Sequence, residues 1–438
     1  MRIGGFARLV GCRQIHRLAA EPETRAMRNR IETNDDKRGT SFFRATPRSL
    51  LADTNTPIAD ASALAPPAVI KQTGGFDTKV LCERTDTPLK IVFITQIDRS
   101  QPAASSVCRK LAEALSARGH DLLLLERKEK SKKRLKPPAF GQTVLYDSVR
   151  ELKDQFTPAI RNADFVMIGS NVAEGAVIGE WVTHTAHGTT AFYDLNTPVT
   201  LAKLDRGESQ HLTHSLISRY HLYLSLTGGP LIELIKKNYG AQLVRPLYGA
   251  VDTSIYYREK ATFIWDLGYA GNFDEDRLPG LDELLLEPAR HWPGGRFVVA
   301  GHGSLQTPDW PNNVKRVANL SNGKQRAFYN AQRFALNVTG AEMIEAGFAP
   351  GLQIFEAAAC GIPIISDYWE DLESFFAPDE EILFARSFEE VLDYLRGIRE
   401  NERLRIGDNA RRRILSEHSA EQRAIELENY VMEAVAKA

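Results

Sequence analysis

The sequence predicts an α/β protein with two parallel sheets, each covered by helices on both faces, that face each other across a cleft. Short apolar runs rich in β-branched residues alternate with segments of helical periodicity, the pattern of parallel strands joined by helical crossovers. The alternation occurs in two series that meet near residue 255. Because ligands of such sheets bind beyond the carboxyl ends of the strands, we expect the binding site in the cleft.

The first series begins with a clear βαβ unit. Residues 90–95 are a short apolar run typical of a buried parallel strand. Ser105 or Ser106 can cap the helix that follows, and Gly119 can end it. A second apolar run at residues 121–125 completes the unit. This unit predicts a doubly wound sheet.

The rest of the chain repeats the alternation. Further strands of the first series are predicted at residues 164–169, 190–194 and 222–226, and the segment 243–248 leads into residues 249–252 at the junction. The second series has predicted strands at residues 265–271, 297–301, 335–339, 362–366 and 382–384, and helices at 281–291 and 353–360. The predicted domains are a leader at residues 1–87, an N-terminal Rossmann-like domain at 88–255, a C-terminal Rossmann-like domain at 256–415 and a final helix at 416–438.

Composition and charge are those of an ordinary cytoplasmic protein. Hydrophobic residues make up 43% of the chain, charged residues 25%, and the formal net charge is −1. Whole-protein electrostatics therefore predict no nucleic-acid partner. The four cysteines are far apart and form no CxxC pair, so we expect neither a zinc site nor a disulfide framework. No apolar run reaches the roughly 18 residues of a membrane span.

The N-terminal segment has a different composition from the rest. Residues 1–20 carry four arginines and no acid, as organelle transit peptides do. The alternatives are a disordered leader or a start codon placed too far upstream, with Met27 as another candidate start. Residues 21–87 have no sustained hydrophobic period and are predicted to be disordered.

The most informative segment is GFAPGLQIFEAAACGIPIISD, residues 347–367. A Gly/Pro loop leads into a helix of small residues, which Gly361 and Pro363 end before a strand. Backbone N–H groups at the start of this helix can bind a diphosphate. Glu356 lies in its first turns, where its carboxylate could accept hydrogen bonds from a ribose. The alternative is a generic α/β crossover with an exposed glutamate.

This segment resembles the donor-site motif of GT-B glycosyltransferases of the group 1 type, which commonly reads EGFGLxxLEAMACGxPVV. The chain is more closely similar to the CgeB-like (spore maturation) glycosyltransferase family. The matching stretches are FYDLNTPVTLAKL (192–204), YLSLTGGPL (223–231), RPLYGAVD (245–252), DLGYAGNF (266–273) and FEAAACGIPIISD (355–367). Each stretch is short, and their common order and spacing between residues 192 and 367 carry the resemblance. The resemblance implies a GT-B fold and transfer of a hexose-like sugar from a nucleoside diphosphate sugar to an acceptor.

The resemblance also implies roles for the matched residues. Glu356 would hold the nucleotide ribose. Gly271 would lie beneath the phosphates, and Gly301 would approach the nucleotide base. Gly249 and Asp252 would mark the interdomain side of the cleft. No permanently bound cofactor and no metal are implied; the sugar nucleotide is the donor substrate.

One position departs from the superfamily pattern. Phe348, Pro350 and Gly351 would lie beside the donor's sugar and phosphates. The superfamily places a second acid eight residues before the helix glutamate, and here that position is Phe348. Glu342 and Glu345 are near but out of register. The resemblance therefore defines neither the sugar nor whether its configuration is retained.

Two basic residues are candidates for balancing the diphosphate charge. A leaving nucleoside diphosphate needs positive charge or amide donors when no metal is present. Arg277 follows the Gly271 loop, as a basic residue often does in the superfamily, and Lys324 lies further along. Ordinary surface charge is the alternative for both, and it is favoured for Lys324.

The N-terminal domain is expected to hold the acceptor, a carbohydrate, a protein or an envelope polymer. Asp194 ends a predicted strand at the cleft, where an acid could orient or deprotonate an acceptor hydroxyl. A turn-forming Asx residue is the alternative. The glycines at residues 227–230 could admit a phosphate or form a tight turn. His184 and His187 lack a third metal ligand, so surface histidines are favoured.

A basic run follows the second predicted strand, and two other functional classes are alternatives to a glycosyltransferase. Residues 127–136 carry seven basic residues, which indicates a solvated loop or peripheral contact with an anionic acceptor or membrane surface. A non-catalytic GT-B scaffold remains open because of Phe348. An NAD(P)-binding oxidoreductase is less favoured, because no GxGxxG follows the strand at residues 90–95.

Overall fold

The computed structural model describes residues 87–96, 102–128, 141–271, 276–301, 310–317, 320, 323–347, 350–369 and 371–437. Apart from residue 87, the predicted leader lies outside these residues. The described residues form two α/β lobes, each built on one parallel sheet with helices.

The N-terminal lobe contains a seven-stranded sheet. Its strands are β1 (Lys90–Gln96), β2 (Asp121–Arg127), β3 (Gln142–Tyr146), β4 (Phe165–Gly169), β5 (Thr189–Asp194), β6 (Leu222–Ser225) and β7 (Val244–Pro246). Its helices are α1 (Pro102–Ala117), α2 (Val149–Asn162), α3 (Gly175–Thr185), α4 (Thr197–Asp205), α5 (His214–Ile217) and α6 (Pro230–Tyr239). The strand order β3-β2-β1-β4-β5-β6-β7, with every pair parallel, reverses direction at β1. This is the order of a Rossmann-like sheet extended by one strand.

The C-terminal lobe repeats this order with six strands. They are β8 (Trp265–Ala270), β9 (Phe297–Ala300), β10 (Val314–Val317), β11 (Gln332–Asn337), β12 (Ile364–Ser366) and β13 (Leu383–Phe384), in the order β10-β9-β8-β11-β12-β13. The helices are α7 (Leu278–Leu281), α8 (Glu287–His291), α9 (Gln325–Asn330), α10 (Ala341–Ala346), α11 (Leu352–Ala359), α12 (Phe388–Gly397) and α13 (Glu400–Glu417). A π-helical turn, Asp282–Leu286, joins α7 to α8. Because every strand pair is parallel, the carboxyl ends of all six strands lie at one edge.

The final helix, α14 (Ala420–Lys437), leaves the C-terminal lobe and packs on the N-terminal one. Its buried face shares a hydrophobic core with α1 and with strands of the first sheet. The apolar residues of this face are Ala424, Leu427, Val431 and Ala434. The chain thus passes between the lobes twice, and the passages touch where Val251 N–H donates to the His418 carbonyl at 3.2 Å.

A buried ion network fastens α14 to the N-terminal lobe. Glu428 accepts two hydrogen bonds from Arg118, Nε to Oε1 at 2.5 Å and Nη2 to Oε2 at 2.8 Å. His120 Nε2 lies 2.8 Å from Oε1, and His120 Nδ1 accepts from Leu89 N–H, so Nε2 is assigned the proton. Burial alone would raise the pKa of Glu428, but hydrogen bonds from His120 and Arg118 lower it to about 2.

We expect Glu428→Gln to destabilise the protein at pH 7 by about 2 kcal/mol. The folded-state pKa lies below the unfolded value, so the Glu428 contribution is present above about pH 4.5 and is lost as pH falls toward 2. Urea unfolding from pH 7 to pH 3 should show the gap between wild type and variant narrowing on acidification. The exposed Glu421→Gln on the same helix is the control. A gap independent of pH would contradict this electrostatic account.

Candidate functional site

The small-residue motif forms α11, and its surroundings explain the composition. Gly351 precedes the helix in an extended conformation and Gly361 follows it with φ 70°, where glycine is unstrained. A Cβ at Gly407 of α13 would lie 2.3 Å from the Gly361 carbonyl oxygen. A Cβ at Gly249 would lie 2.4 Å from Cδ2 of Leu352, the first residue of α11. The end of α11 is therefore in close contact with α13, and its start is in close contact with Gly249, in the segment that joins the two lobes.

Glu356 lies on α11 with its side chain partly buried. Its Oε2 accepts a hydrogen bond from the Tyr329 hydroxyl at 3.1 Å. The Tyr256 hydroxyl faces both this carboxylate and the side-chain amide of Gln325. The rings of Tyr256 and Tyr329 meet edge to face, with centroids 6.2 Å apart. A carboxylate has acceptor sites beyond those that the tyrosines occupy, so Glu356 can still accept hydrogen bonds from a ligand.

Burial and the neighbouring polar groups shift the pKa of Glu356 in opposite directions. Burial raises the pKa of Glu356 above its usual range, while hydrogen bonding from Tyr256, the charge of Lys110 and hydrogen bonding from Tyr329 lower it. Burial also raises the pKa of Tyr256 and of Tyr329, and the charge of Glu356 adds to both shifts. Both phenols therefore stay protonated at neutral pH and act as donors.

The predicted phosphate-side glycines lie at the carboxyl edge of the second sheet. Gly271 follows β8, and its N–H donates to the Ala300 carbonyl at 3.0 Å. Gly301 follows β9, and its N–H donates to the Val317 carbonyl at 3.2 Å. Pro350 and Gly351 immediately precede α11 at this edge, whereas Phe348 lies outside the described residues. The structure thus brings Gly271, Gly301 and Gly351 to one edge of the sheet.

Arg277 packs against the loop after β11. Its Nη2 donates to Met343 Sδ at 3.8 Å, and a Cβ at Gly340 would lie 3.0 Å from the same nitrogen. Asp367, at the end of β12, accepts from Thr339 N–H at 2.7 Å and from the Thr339 hydroxyl at 2.9 Å. Burial raises the pKa of Asp367, and Arg277 is among the groups that oppose the rise. A polar cluster therefore lies at the carboxyl ends of β11 and β12.

Asp194 is fully buried at the end of β5. Its Oδ1 accepts from Asn196 N–H at 3.2 Å and from the Thr200 hydroxyl at 2.8 Å. Its Oδ2 accepts from the Tyr223 hydroxyl at 2.5 Å. Burial raises the pKa of Asp194 despite these hydrogen bonds. These are the contacts of the turn-forming alternative: the carboxylate orders the start of α4 below the cleft edge.

The remaining polar candidates of the N-terminal lobe form local contacts. Gly229 has φ 63° at the start of α6, and a Cβ at Gly228 would lie 2.0 Å from the Tyr248 hydroxyl, which fits a tight turn at residues 227–230. His184 is exposed on α3 and contacts the Glu180 carbonyl. Among the described residues, no group of three His, Cys, Asp or Glu side chains could hold a metal ion.

The other basic and interlobe candidates are placed as follows. Lys324 is exposed before α9, which fits surface charge. Asp252 Oδ1 accepts from Ser254 N–H at 3.0 Å and from the Ser254 hydroxyl at 2.6 Å, a local turn between the lobes. In the basic run 127–136, only residues 127 and 128 are described, and Lys128 pairs with Asp147 at 2.5 Å. Within the described ranges, every helix is too short or too polar to cross a membrane.

Comparisons with known proteins define the class of fold. The model of a family described as "Glycosyl transferase-like" matches residues 277–429. The structure is similar to the sucrose-phosphate synthase of Thermosynechococcus elongatus, with a TM-score of 0.55, 14% identity and coverage of 79% of this chain and 100% of the other. It is also similar to Anabaena HepE in complex with UDP and glucose, with a TM-score of 0.57, 12% identity and the same coverages.

A third similar structure is an alpha-glucosyltransferase in complex with UDP-glucose and DNA containing an abasic site, with a TM-score of 0.57, 11% identity and the same coverages. A search of curated proteins finds no match. At these identities the structural matches define the fold alone. The chain has the GT-B fold, two Rossmann-like domains facing across a cleft, and the glycosyl transferase-like match covers most of the described C-terminal lobe and the first part of α14.

Proposed function

We propose that this chain is a glycosyltransferase that binds a nucleoside diphosphate sugar against the C-terminal lobe and transfers the sugar to an acceptor held by the N-terminal lobe. The observation that carries the proposal is Glu356, a partly buried carboxylate on α11 beside two phenol donors, in the helix that follows the strand-edge glycines. Two of the similar structures, HepE and the alpha-glucosyltransferase, are described with UDP or UDP-glucose. Within the GT-B class we place the chain in the CgeB-like group.

In this proposal, Glu356 accepts hydrogen bonds from the ribose hydroxyls. The free N–H groups at the start of α11, after Pro350 and Gly351, face the diphosphate, and Gly271 lets the phosphates approach β8. Arg277 adds positive charge on the same side. The positive charge and amide donors stabilise the leaving nucleoside diphosphate, so the reaction needs no metal ion.

Four other residues have proposed roles around the cleft. Gly301 lies beside the nucleotide base. Gly249 and Asp252 lie on the interlobe side of the cleft, where a side chain at Gly249 would collide with Leu352 at the start of α11. Asp194 acts as a positioning residue: it orders the β5–α4 turn on the acceptor side through Thr200 and Asn196. The acceptor is a carbohydrate, a protein or an envelope polymer.

Turnover of sugar nucleotides tests this proposal. The full chain is incubated with UDP-, GDP-, dTDP- and ADP-sugars, with and without simple sugar acceptors, and released nucleoside diphosphate is measured. We expect release from one nucleotide series, and it should persist in EDTA and fall strongly in Glu356→Gln. Binding of a sugar nucleotide without release under any condition would favour a non-catalytic GT-B scaffold.

A further inference from the structure

A lysine of the N-terminal lobe reaches the Glu356 site. Lys110 lies on α1, and its Nζ is 6.0 Å from the centroid of the Tyr256 ring. Tyr256 packs edge to face on Tyr329, and the Tyr329 hydroxyl is 3.1 Å from Glu356 Oε2. A continuous series of contacts therefore runs from α1, across the cleft, to the carboxylate on α11.

Lys110 differs from its neighbours in having no ion-pair partner among the described residues. Arg109, the preceding residue, is held by Glu126 through two hydrogen bonds of 2.7 and 2.5 Å. The Lys110 side chain is partly buried, and its ammonium keeps three N–H donors beside the aromatic face of Tyr256. An ammonium in such a position acts on the nearest acid by charge.

The charge of Lys110 acts on Glu356. The groups that face Glu356 from the elements packed against it are Tyr256 before β8, Tyr329 on α9, Cys360 after α11 and Lys110 on α1. Burial raises the pKa of Cys360 to about 12, and both phenols are protonated, so these three are neutral at pH 7. Of these groups, Lys110 alone is charged and opposes the protonation of Glu356.

We propose that Lys110 is a positioning residue of the acceptor lobe that supplies the positive charge facing the donor carboxylate, so that Glu356 stays ionised when it binds the ribose. This inference rests on the proposed function of Glu356. Lys110 acts through Glu356 and touches neither the phosphates nor the transferred sugar.

The pH dependence of nucleotide binding tests this role. The probes are whichever of UDP, GDP, dTDP and ADP binds the wild-type chain, and its nucleoside, titrated from pH 5 to pH 8. In Lys110→Met, the acid-side midpoint for both probes should move upward by about one pH unit, because Glu356 loses its countercharge. Lys110→Arg should keep the wild-type midpoint. The exposed Lys236→Met on α6 is the matched control.

The outcomes separate this inference from the proposed function. An unchanged midpoint in Lys110→Met, in a protein that unfolds at the wild-type urea concentration, would overturn the role of Lys110. Loss of affinity for the nucleoside diphosphate with unchanged nucleoside binding would also overturn it, because Lys110 would then contact the phosphates. A wild-type chain that binds none of the probes would remove the proposed function itself and this inference with it.

Discussion

Glu356→Gln is expected to weaken binding of the nucleoside diphosphate by roughly 10- to 100-fold. Hydrogen bonds from neutral hydroxyls to a carboxylate contribute about 1.5–3 kcal/mol, and each 1.4 kcal/mol is about a tenfold change in affinity. Glutamine keeps the shape of the side chain and can still accept from Tyr329, so the fold should be retained. The loss therefore reports the charge and the second acceptor oxygen.

Calorimetric titration with a ribonucleoside diphosphate and with its 2′,3′-dideoxy analogue isolates this contact. If Glu356 holds the ribose hydroxyls, the variant should lose affinity for the ribonucleotide and little affinity for the analogue, the non-additivity expected of a direct contact. Glu373→Gln, at an exposed position after β12, is the control. Equal losses for both ligands would place Glu356 away from the ribose.

Gly407→Ala is expected to destabilise the protein by about 1–3 kcal/mol, the usual cost of overpacking. A Cβ there would lie 2.3 Å from the Gly361 oxygen, 3.0 Å from the Gly361 carbonyl carbon and 3.1 Å from Pro363 Cδ. Two of these atoms belong to the backbone, so α13 and the end of α11 must move apart. The substitution should also weaken nucleotide binding, because Glu356 moves with α11.

Gly397 is the matched control for the Gly407 substitution. A Cβ at Gly397, the last residue of α12, would have no atom within 4 Å, so Gly397→Ala should be neutral or slightly stabilising. Urea unfolding of both variants is the measurement. Equal stability of Gly407→Ala and Gly397→Ala would contradict the close contact between α11 and α13.

Most strands could be predicted because parallel strands buried on both faces form continuous apolar runs. The three strands that were not predicted, β3, β7 and β10, all lie at sheet edges. Exposed Lys315 and Arg316 interrupt β10, and β3 is largely exposed or half-buried. An edge strand with a mixed pattern has no clear apolar period, so it cannot be recognised from the sequence without the strand with which it pairs.

A helix at the end of the chain could be predicted, but the surface on which this helix, α14, packs could not. Ala424, Leu427, Val431 and Ala434 recur at helical spacing and indicate a buried face. The pattern does not identify the surface that this face covers. Arg118 and Glu428 are separated by 310 positions, and their pairing follows only from the two-lobed arrangement.

The site was predictable where one continuous segment forms it. Glu356 and the glycines before α11 follow from a single motif. Tyr256, Tyr329 and Lys110 come from three segments without a motif and meet only in the folded chain. Asp194 was correctly expected at a strand end, but its full burial depends on Tyr223 from the adjacent strand β6, which the local sequence does not indicate.

The central claim is a sugar-nucleotide site on the C-terminal lobe, and thermal unfolding of the full chain with nucleotides tests it most directly. The panel is UDP, GDP, dTDP, ADP and their sugars, beside NAD and NADP. A ligand at 100 times its dissociation constant adds about 2.7 kcal/mol of stability. We predict stabilisation by one nucleotide series and a much smaller effect in Glu356→Gln. A folded protein that no sugar nucleotide stabilises, or that NAD alone stabilises, would contradict the claim.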